Sequence, residues 1–171
     1  MTEKLALARY DTITANEVYD EMVQLFRDTH RDIAHIPFFS TGQFEAAFVK
    51  QRAYNGFELV TGRIDGKLVG VIFGFTEIPR EQYAICELMV ATDYRRRGVA
   101  KRLHDELLRL RPERRADLYV RKDNAPAQAA YRKWGWTKVG EVQPTVDAPV
   151  LDELQVPLPV PRSSIPYRAP R

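Results

Sequence analysis

A short apolar run, Ala84 to Val90, leads into Arg95-Arg96-Arg97-Gly98-Val99-Ala100, and an amphipathic pattern begins at Val99. A strand, a basic glycine turn and a helix start in that order constrain this chain more than any other feature. The first N–H groups of a helix have no partner inside it, and the helix dipole favours negative charge beside them. Gly98 allows the backbone to approach a ligand with no Cβ in the way. The three arginines add long-range attraction and forked donors that match phosphate oxygens. The segment therefore predicts a cradle for a phosphate-bearing ligand.

The elements around it follow from periodicity. Residues 5–10 predict a strand. Val18, Met22, Leu25, Phe26 and Thr29 recur at helical spacing and predict a helix over 16–31. An apolar loop with Pro37 covers 33–39. Ser40 with Gln43 is a capping-box signal for a second helix, which Asn55-Gly56 ends. From Phe57 the period changes to that of strands, with Asp65-Gly66 as a hairpin turn and a second arm, Leu68 to Phe75, apolar enough to be buried on both faces. After a polar break at 79–82 comes the 84–90 strand. Val99, Leu103 and Leu107 then form a helical stripe that Pro112 stops. Asp117 to Arg121 is a strand. Pro126 opens a helix with Ala127, Ala130, Tyr131 and Trp134 inward, and Gly135 marks its end. Two closing strands are predicted at 137–142 and 150–156. The order is that of an α/β chain, whose strand–helix–strand unit over 84–121 implies a parallel or mixed sheet with a right-handed crossover.

A chain of 171 residues with 44% hydrophobic and 29% charged residues suits one soluble domain with a real core, predicted here over 1–158. A Pro- and Arg-rich tail over 159–171 favours extended polyproline conformation. No apolar run approaches the roughly 20 residues that span a bilayer, so no membrane partner is predicted. Met1-Thr2-Glu3-Lys4-Leu5 lacks signal-peptide character. Cys86, the single cysteine, excludes an internal disulfide and a cysteine-based zinc cluster. A cytoplasmic location follows as the expectation. The formal charge of +3 is mild, suits an anionic small ligand and does not by itself point to nucleic acid. His30, His35 and His104 lack metal-ligand spacing, and no metal site is predicted.

Motif and order together resemble the Gcn5-related N-acetyltransferase (GNAT) superfamily. Its signature is Gln or Arg, two residues, Gly, one residue, then Gly or Ala, here Arg95-x-x-Gly98-x-Ala100. Asn124 lies just past a strand, Tyr131 seven residues on and Gly135-Trp136 four beyond that. This is similar to the family's Asn…Tyr…Gly-Phe pattern, with Trp136 in the Phe position. The likeness is close over 57–142, and over 5–56 it rests on the order of elements. It implies a three-layer αβα fold whose central twisted mixed sheet is splayed between the fourth and fifth strands. It implies acetyl-CoA, or another acyl-CoA, as co-substrate. The turn Arg95, Arg96, Arg97, Gly98, Val99, Ala100, with Lys101 beyond it, would bind the CoA pyrophosphate. The main chain at Met89 and Val90 would pair with the pantetheine arm like an added strand. Asn124 would contact that arm or order its loop, with a helix cap as the alternative.

Acyl transfer to an amine requires a base for the amine, stabilisation of the thioester oxygen as it turns anionic, and an acid for the departing thiolate. Glu87, a carboxylate within an apolar strand, is the candidate base, acting directly or through a water; pairing with an arginine or exposure at a strand end is the alternative. Tyr131, on the apolar face of its helix, is the candidate acid, since a group titrating near 10 can protonate a thiolate without being ionised at rest; core packing is the alternative. Strand alternation would place Cys86 opposite Glu87, as a small buried residue. His104 is expected at the surface edge of its helix. His30 and His35 adjoin the loop that, by the resemblance, lines the acceptor site. Trp134 and Trp136 are expected to pack around Gly135.

The sequence thus points to an N-acetyltransferase acting on a primary amine of a small molecule. The loops 30–42 and 143–149 would shape the acceptor pocket, and Asp147, Asp152 and Glu153 are candidates to attract a cationic amine. Acetylation of a protein lysine or N-terminus, and a non-catalytic acyl-CoA sensor, are the alternatives. Monomer and homodimer are both open. A phosphate-transfer loop is disfavoured by the missing Gly-Lys-Ser/Thr element.

Overall fold

A computed structural model describes residues 4–160, so the tail expected over 159–171 lies almost wholly outside the described residues. Strand β1 (Ala6–Tyr10) is followed by helices α1 (Tyr19–Thr29) and α2 (Thr41–Gln51), the hairpin β2 (Glu58–Ile64) and β3 (Lys67–Glu77), then β4 (Gln82–Val90), α3 (Val99–Leu108), β5 (Arg115–Arg121), α4 (Ala125–Lys133), β6 (Thr137–Val142) and β7 (Leu151–Pro157). The strands form one sheet in the order β1-β2-β3-β4-β5-β7-β6. Among the described residues, β4 and β5 are the only parallel neighbours.

Local chemistry explains most boundaries. Ser40 caps α2, its hydroxyl accepting from the Gln43 N–H at 3.2 Å. Asp65 and Gly66 both take positive φ, at 50° and 78°, as the tight β2–β3 turn requires. The first helix starts later than its apolar period suggests. Thr14–Val18 forms a tighter 3-10 turn, and Val18, at φ −113° and ψ 5°, breaks the path before α1 begins.

Two apolar layers cover the sheet. On one face Met22, Phe26, Phe44 and Phe48 of α1 and α2 pack on Leu59, Val71, Phe73 and Met89. On the other, Val99, Leu103, Leu107 and Leu108 of α3 and Tyr131 of α4 pack on Val60, Ile72, Ile85, Leu118, Val120, Leu154 and Val156. This is the three-layer αβα arrangement.

Two irregularities of β4 matter for function. Its ladder with β5 holds only three pairs, Gln82↔Arg115, Tyr83↔Ala116 and Ala84↔Asp117, after which the strands part. Its ladder with β3 shifts register, Phe73 pairing with Glu87 but Gly74 with Ile85, so Cys86 is bulged out. Gly74 makes the bulge feasible, because a Cβ there would sit 2.4 Å from the Ala84 carbonyl oxygen. The bulge corrects the expected alternation. Ile85 and Leu88 pack in the α3/α4 layer, whereas Cys86 packs with the α1/α2 layer, the side on which Glu87 meets His30.

Candidate active site

The parting of β4 and β5 leaves a cleft. From Ile85 to Val90, β4 has β3 on one side and no β5 partner on the other. Backbone groups along such an edge need partners, and an extended ligand carrying amides can supply them. The Val90 carbonyl accepts from Arg95 Nε at 3.1 Å, so Arg95 braces the end of the strand.

Below the cleft, the basic turn runs into α3. Arg96 and Gly98 both have left-handed backbone, with φ of 61° and 79°. A Cβ built on Gly98 would meet no heavy atom within 4 Å, so the space above the turn is open. The first bond of α3 runs from the Arg102 N–H to the Gly98 carbonyl, which leaves the N–H groups of the first turn, Val99 to Lys101, with no helical acceptor. These features fit a pyrophosphate group. Arg97 stacks on the Tyr94 ring at 5.2 Å. Lys101 is tied to Asp105, its ammonium 2.7 and 2.8 Å from the two carboxylate oxygens, and lies 5.8 Å from the centre of the Trp134 ring.

Tyr131, on α4, is held by the turn that ends that helix. The Trp136 N–H donates to the Tyr131 carbonyl at 3.0 Å and the Gly135 N–H to the Arg132 carbonyl at 3.1 Å, with Gly135 at φ 96°. This is the Schellman arrangement, and its usual apolar contact is here the edge-on packing of Tyr131 and Trp136 rings, 5.6 Å apart. The spacing Tyr131…Gly135-Trp136 thus has a physical reason: it fixes the tyrosine ring. Trp136 is anchored in turn, its Nε1 donating to His104 Nε2 at 3.0 Å. Because an indole nitrogen only donates, His104 carries its proton on Nδ1, which lies 2.9 Å from Asp105 Oδ1. His104 is fully buried, contrary to the surface position expected for it, because it serves as the acceptor for the indole of Trp136.

Tyr131 is itself buried, and its hydroxyl forms no hydrogen bond among the described residues. Burial raises its pKa above the ordinary tyrosine range, and the nearby Glu87 charge raises it further. The charge of one candidate catalytic group therefore acts on the other. Glu87 is about a quarter exposed (24%), less sealed than its apolar strand suggests, and its Oε1 lies 3.6 Å from His30 Nε2. His30 Nδ1 lies 2.9 Å from both the Phe26 carbonyl oxygen and Thr29 Oγ1, which orients the ring so that Nε2 faces Glu87. The sequence offered His30 only as a loop residue; the approach to Glu87 depends on where α1 docks. Cys86 is pushed well up in pKa by burial and then by the Glu87 charge, consistent with the inert role expected of it. Asn124 caps α4, accepting from the Ala127 N–H at 3.3 Å.

Of the carboxylates expected to attract an amine, Asp152 is neutralised. Lys122 and Lys138 lie 2.8 and 3.0 Å from its Oδ1, and their bonds hold its pKa down to about 2. Glu153 instead lies against Asp117. The α1–α2 connection reaches the end of β5 through Phe39, whose ring lies 5.7 Å from the Arg121 guanidinium. A shallow surface cavity of about 350 Å³ beside it is lined by Phe26, Arg27, His30, Arg31 and Phe39 among others.

The comparisons with known proteins agree with this geometry. A search of curated proteins returned no match. Among solved structures, nourseothricin acetyltransferase is 26% identical with a TM-score of 0.55, the match covering 60% of this chain and 66% of that protein, just under two thirds of its length. The PaiA N-acetyltransferase of Thermoplasma acidophilum, solved with coenzyme A, matches at 12% identity and a TM-score of 0.64 over 89% of this chain and 98% of that one. The ribosomal-protein-S18-alanine N-acetyltransferase of Escherichia coli matches at 19% and 0.65 over 96% and 100%. The latter two likenesses concern the fold. The family model described as "Acetyltransferase (GNAT) family" matches residues 19–136, which span the bulged strand, the arginine turn and the Tyr131–Trp136 cap, and the chain belongs to that family.

Proposed function

We propose that the protein is an acetyl-CoA-dependent N-acetyltransferase acting on a primary amine of a small molecule. The observation that supports this reading is the cleft beyond Ala84, with Glu87 on its free strand, close enough for its charge to act on Tyr131, and an open first turn at the start of α3. The likeness to nourseothricin acetyltransferase supports a small acceptor.

In this reading the N–H groups at the start of α3 and the arginines of the turn hold the pyrophosphate, and the free edge of β4 aligns the pantetheine arm. Glu87, with His30 Nε2 beside it, takes the proton that the amine loses as its nitrogen bonds to the thioester carbon. The carbon–sulfur bond breaks, and Tyr131 gives its proton to the departing thiolate. The products are the N-acetyl amine and CoA, and the proton held by Glu87 returns to Tyr131 through solvent. The charge coupling supports this division of labour. Glu87, while ionised, makes Tyr131 a weaker acid. Once Glu87 is protonated that contribution vanishes, so Tyr131 becomes a better donor as the thiolate forms.

The test is thiol release from acetyl-CoA across a panel of small amines and N-terminal peptides, with wild type and Glu87→Gln. Turnover with small amines that falls by roughly 10²-fold or more in the variant supports the proposal. Turnover with peptides alone would overturn the small-molecule acceptor, and full activity in Glu87→Gln would overturn the assigned base.

A further inference from the structure

We propose that Asp117, together with Glu153 and Glu77, forms a subsite for a second cationic group of the acceptor, which makes diamines and larger polycationic amines the preferred substrates. This rests on the small-amine reading above and names the substrate class for it.

The argument starts from the alternation of β5. Ala116, Leu118 and Val120 enter the layer beneath α3 and α4, so Asp117 and Tyr119 face the opposite side, where Glu87 and His30 lie. Asp117 pairs with Ala84 in the last rung before β4 and β5 part, and with Gln155 on β7. It stands at the closed end of the cleft. Only 2% of its surface is exposed, and its Oδ1 has no hydrogen-bond partner among the described residues. A buried carboxylate oxygen without a donor is costly and rare, and it calls for a partner.

The surroundings select that partner's charge. Glu153 and Gln155 from β7 and Glu77 from β3 lie close enough to act on Asp117. The Gln82 amide, the neighbouring donor on β4, is already given to Glu77 at 2.6 Å. The Gln82 carbonyl oxygen is taken by Arg115 at 3.0 Å and by Gln155 at 3.4 Å. Two guanidinium groups stand at its edge: Arg115, two residues back along β5, is engaged by the Gln82 amide oxygen, and Arg80 is 61% exposed and 4.0 Å from Glu153. Two further carboxylates therefore flank the unfilled Asp117 acceptor, and a compact ammonium with three N–H donors suits it. Asp117 lies beside Ala84, and Glu87 follows three residues along β4, a span of about 10 Å at roughly 3.3 Å per residue, which the bulge shortens. An extended diamine can reach from one carboxylate to the other.

Burial and then the Glu153 charge push the Asp117 pKa up to about 7, so a bound cation has to displace a proton there. The affinity for a diamine should therefore rise with pH through neutrality, more steeply than that for a monoamine.

The test compares cadaverine with n-pentylamine in the thiol-release assay, using wild type, Asp117→Asn and Glu153→Gln. Wild type should prefer the diamine in kcat/KM by on the order of tenfold or more, the scale of one partly buried ion pair. Both variants should bring that ratio toward one. Glu153→Gln, at a partly exposed position, guards against a folding defect in Asp117→Asn. A wild-type ratio near one, or a ratio unchanged in both variants, would overturn the subsite, because a purely structural defect lowers both amines together. Melting curves with cadaverine need no turnover and are read in parallel. Stabilisation of wild type that both variants lose supports the subsite even if no amine is acetylated, a result that would count against the acetylation reading alone. Equal stabilisation of all three proteins would overturn the subsite.

Discussion

Replacing Tyr131 by Phe separates chemistry from packing unusually well. The hydroxyl has no hydrogen-bond partner among the described residues, while the ring packs on Trp134 and Trp136 at 5.6 Å each. Phenylalanine keeps the ring and both contacts, and the Schellman turn uses only the backbone of residue 131. Folding stability should therefore change by no more than about 0.5 kcal/mol, the range of substitutions that break no network. A positioned general acid contributes about 10²–10⁴-fold, or roughly 2.7–5.4 kcal/mol of barrier. The expected result is a fall in kcat of that size with CoA affinity and melting temperature unchanged. Initial rates of thiol release, a CoA titration and a melting curve on the same preparation decide it. Glu87→Gln combined with Tyr131→Phe should cost less than the sum of the two, since each group relies on the other's charge state. Turnover in Tyr131→Phe within a few-fold of wild type would refute the assignment, and so would a rate loss fully matched by a loss of stability.

Three further outcomes are expected. Gly98→Val puts a β-branched residue at φ 79° with nothing to clash against, so it should cost about 1–2 kcal/mol of stability and weaken CoA by on the order of tenfold, read by melting and by titration. His104→Leu leaves the buried Trp136 N–H without an acceptor and should cost about 1–3 kcal/mol in urea unfolding, partly restored by His104→Gln, which can still accept. Asp117 has a folded pKa raised to about 7 from an unfolded value near 3.9, so the native state binds the extra proton between these values and stability falls as pH rises from about 4 to about 7. Asp117→Asn should flatten that part of the stability–pH curve, and an unchanged slope would show that the carboxyl is not perturbed.

The sequence was most informative where local chemistry is strict. Asp65-Gly66, Ser40 with Gln43, and Gly135 each fixed a turn or cap, because few residues tolerate those backbone angles or supply those bonds. A mixed sheet and the arginine turn followed from element order. Three features were hidden. Strict alternation placed Cys86 opposite Glu87, but the bulge depends on Gly74 across the ladder, a long-range pairing that no local pattern reveals. His104 sits beside a polar stretch of α3 and looked solvent-facing until Trp136, 32 residues away, claimed it. Asp117 and Glu153 come together only because β7 inserts between β5 and β6. In each case the deciding partner lies on a different element, so the signal is tertiary.

The central claim is that the turn and cleft bind a CoA thioester, and melting with CoA, acetyl-CoA and ATP in parallel tests it most directly. A ligand that binds only the folded state at 100 times its Kd adds about 2.7 kcal/mol. For a domain of this size that corresponds to a rise of roughly 5–11 °C in Tm. The account predicts such a rise with both CoA species, none with ATP, and a smaller rise in Gly98→Val. No shift with either CoA species, accompanied by a shift with ATP, would contradict it.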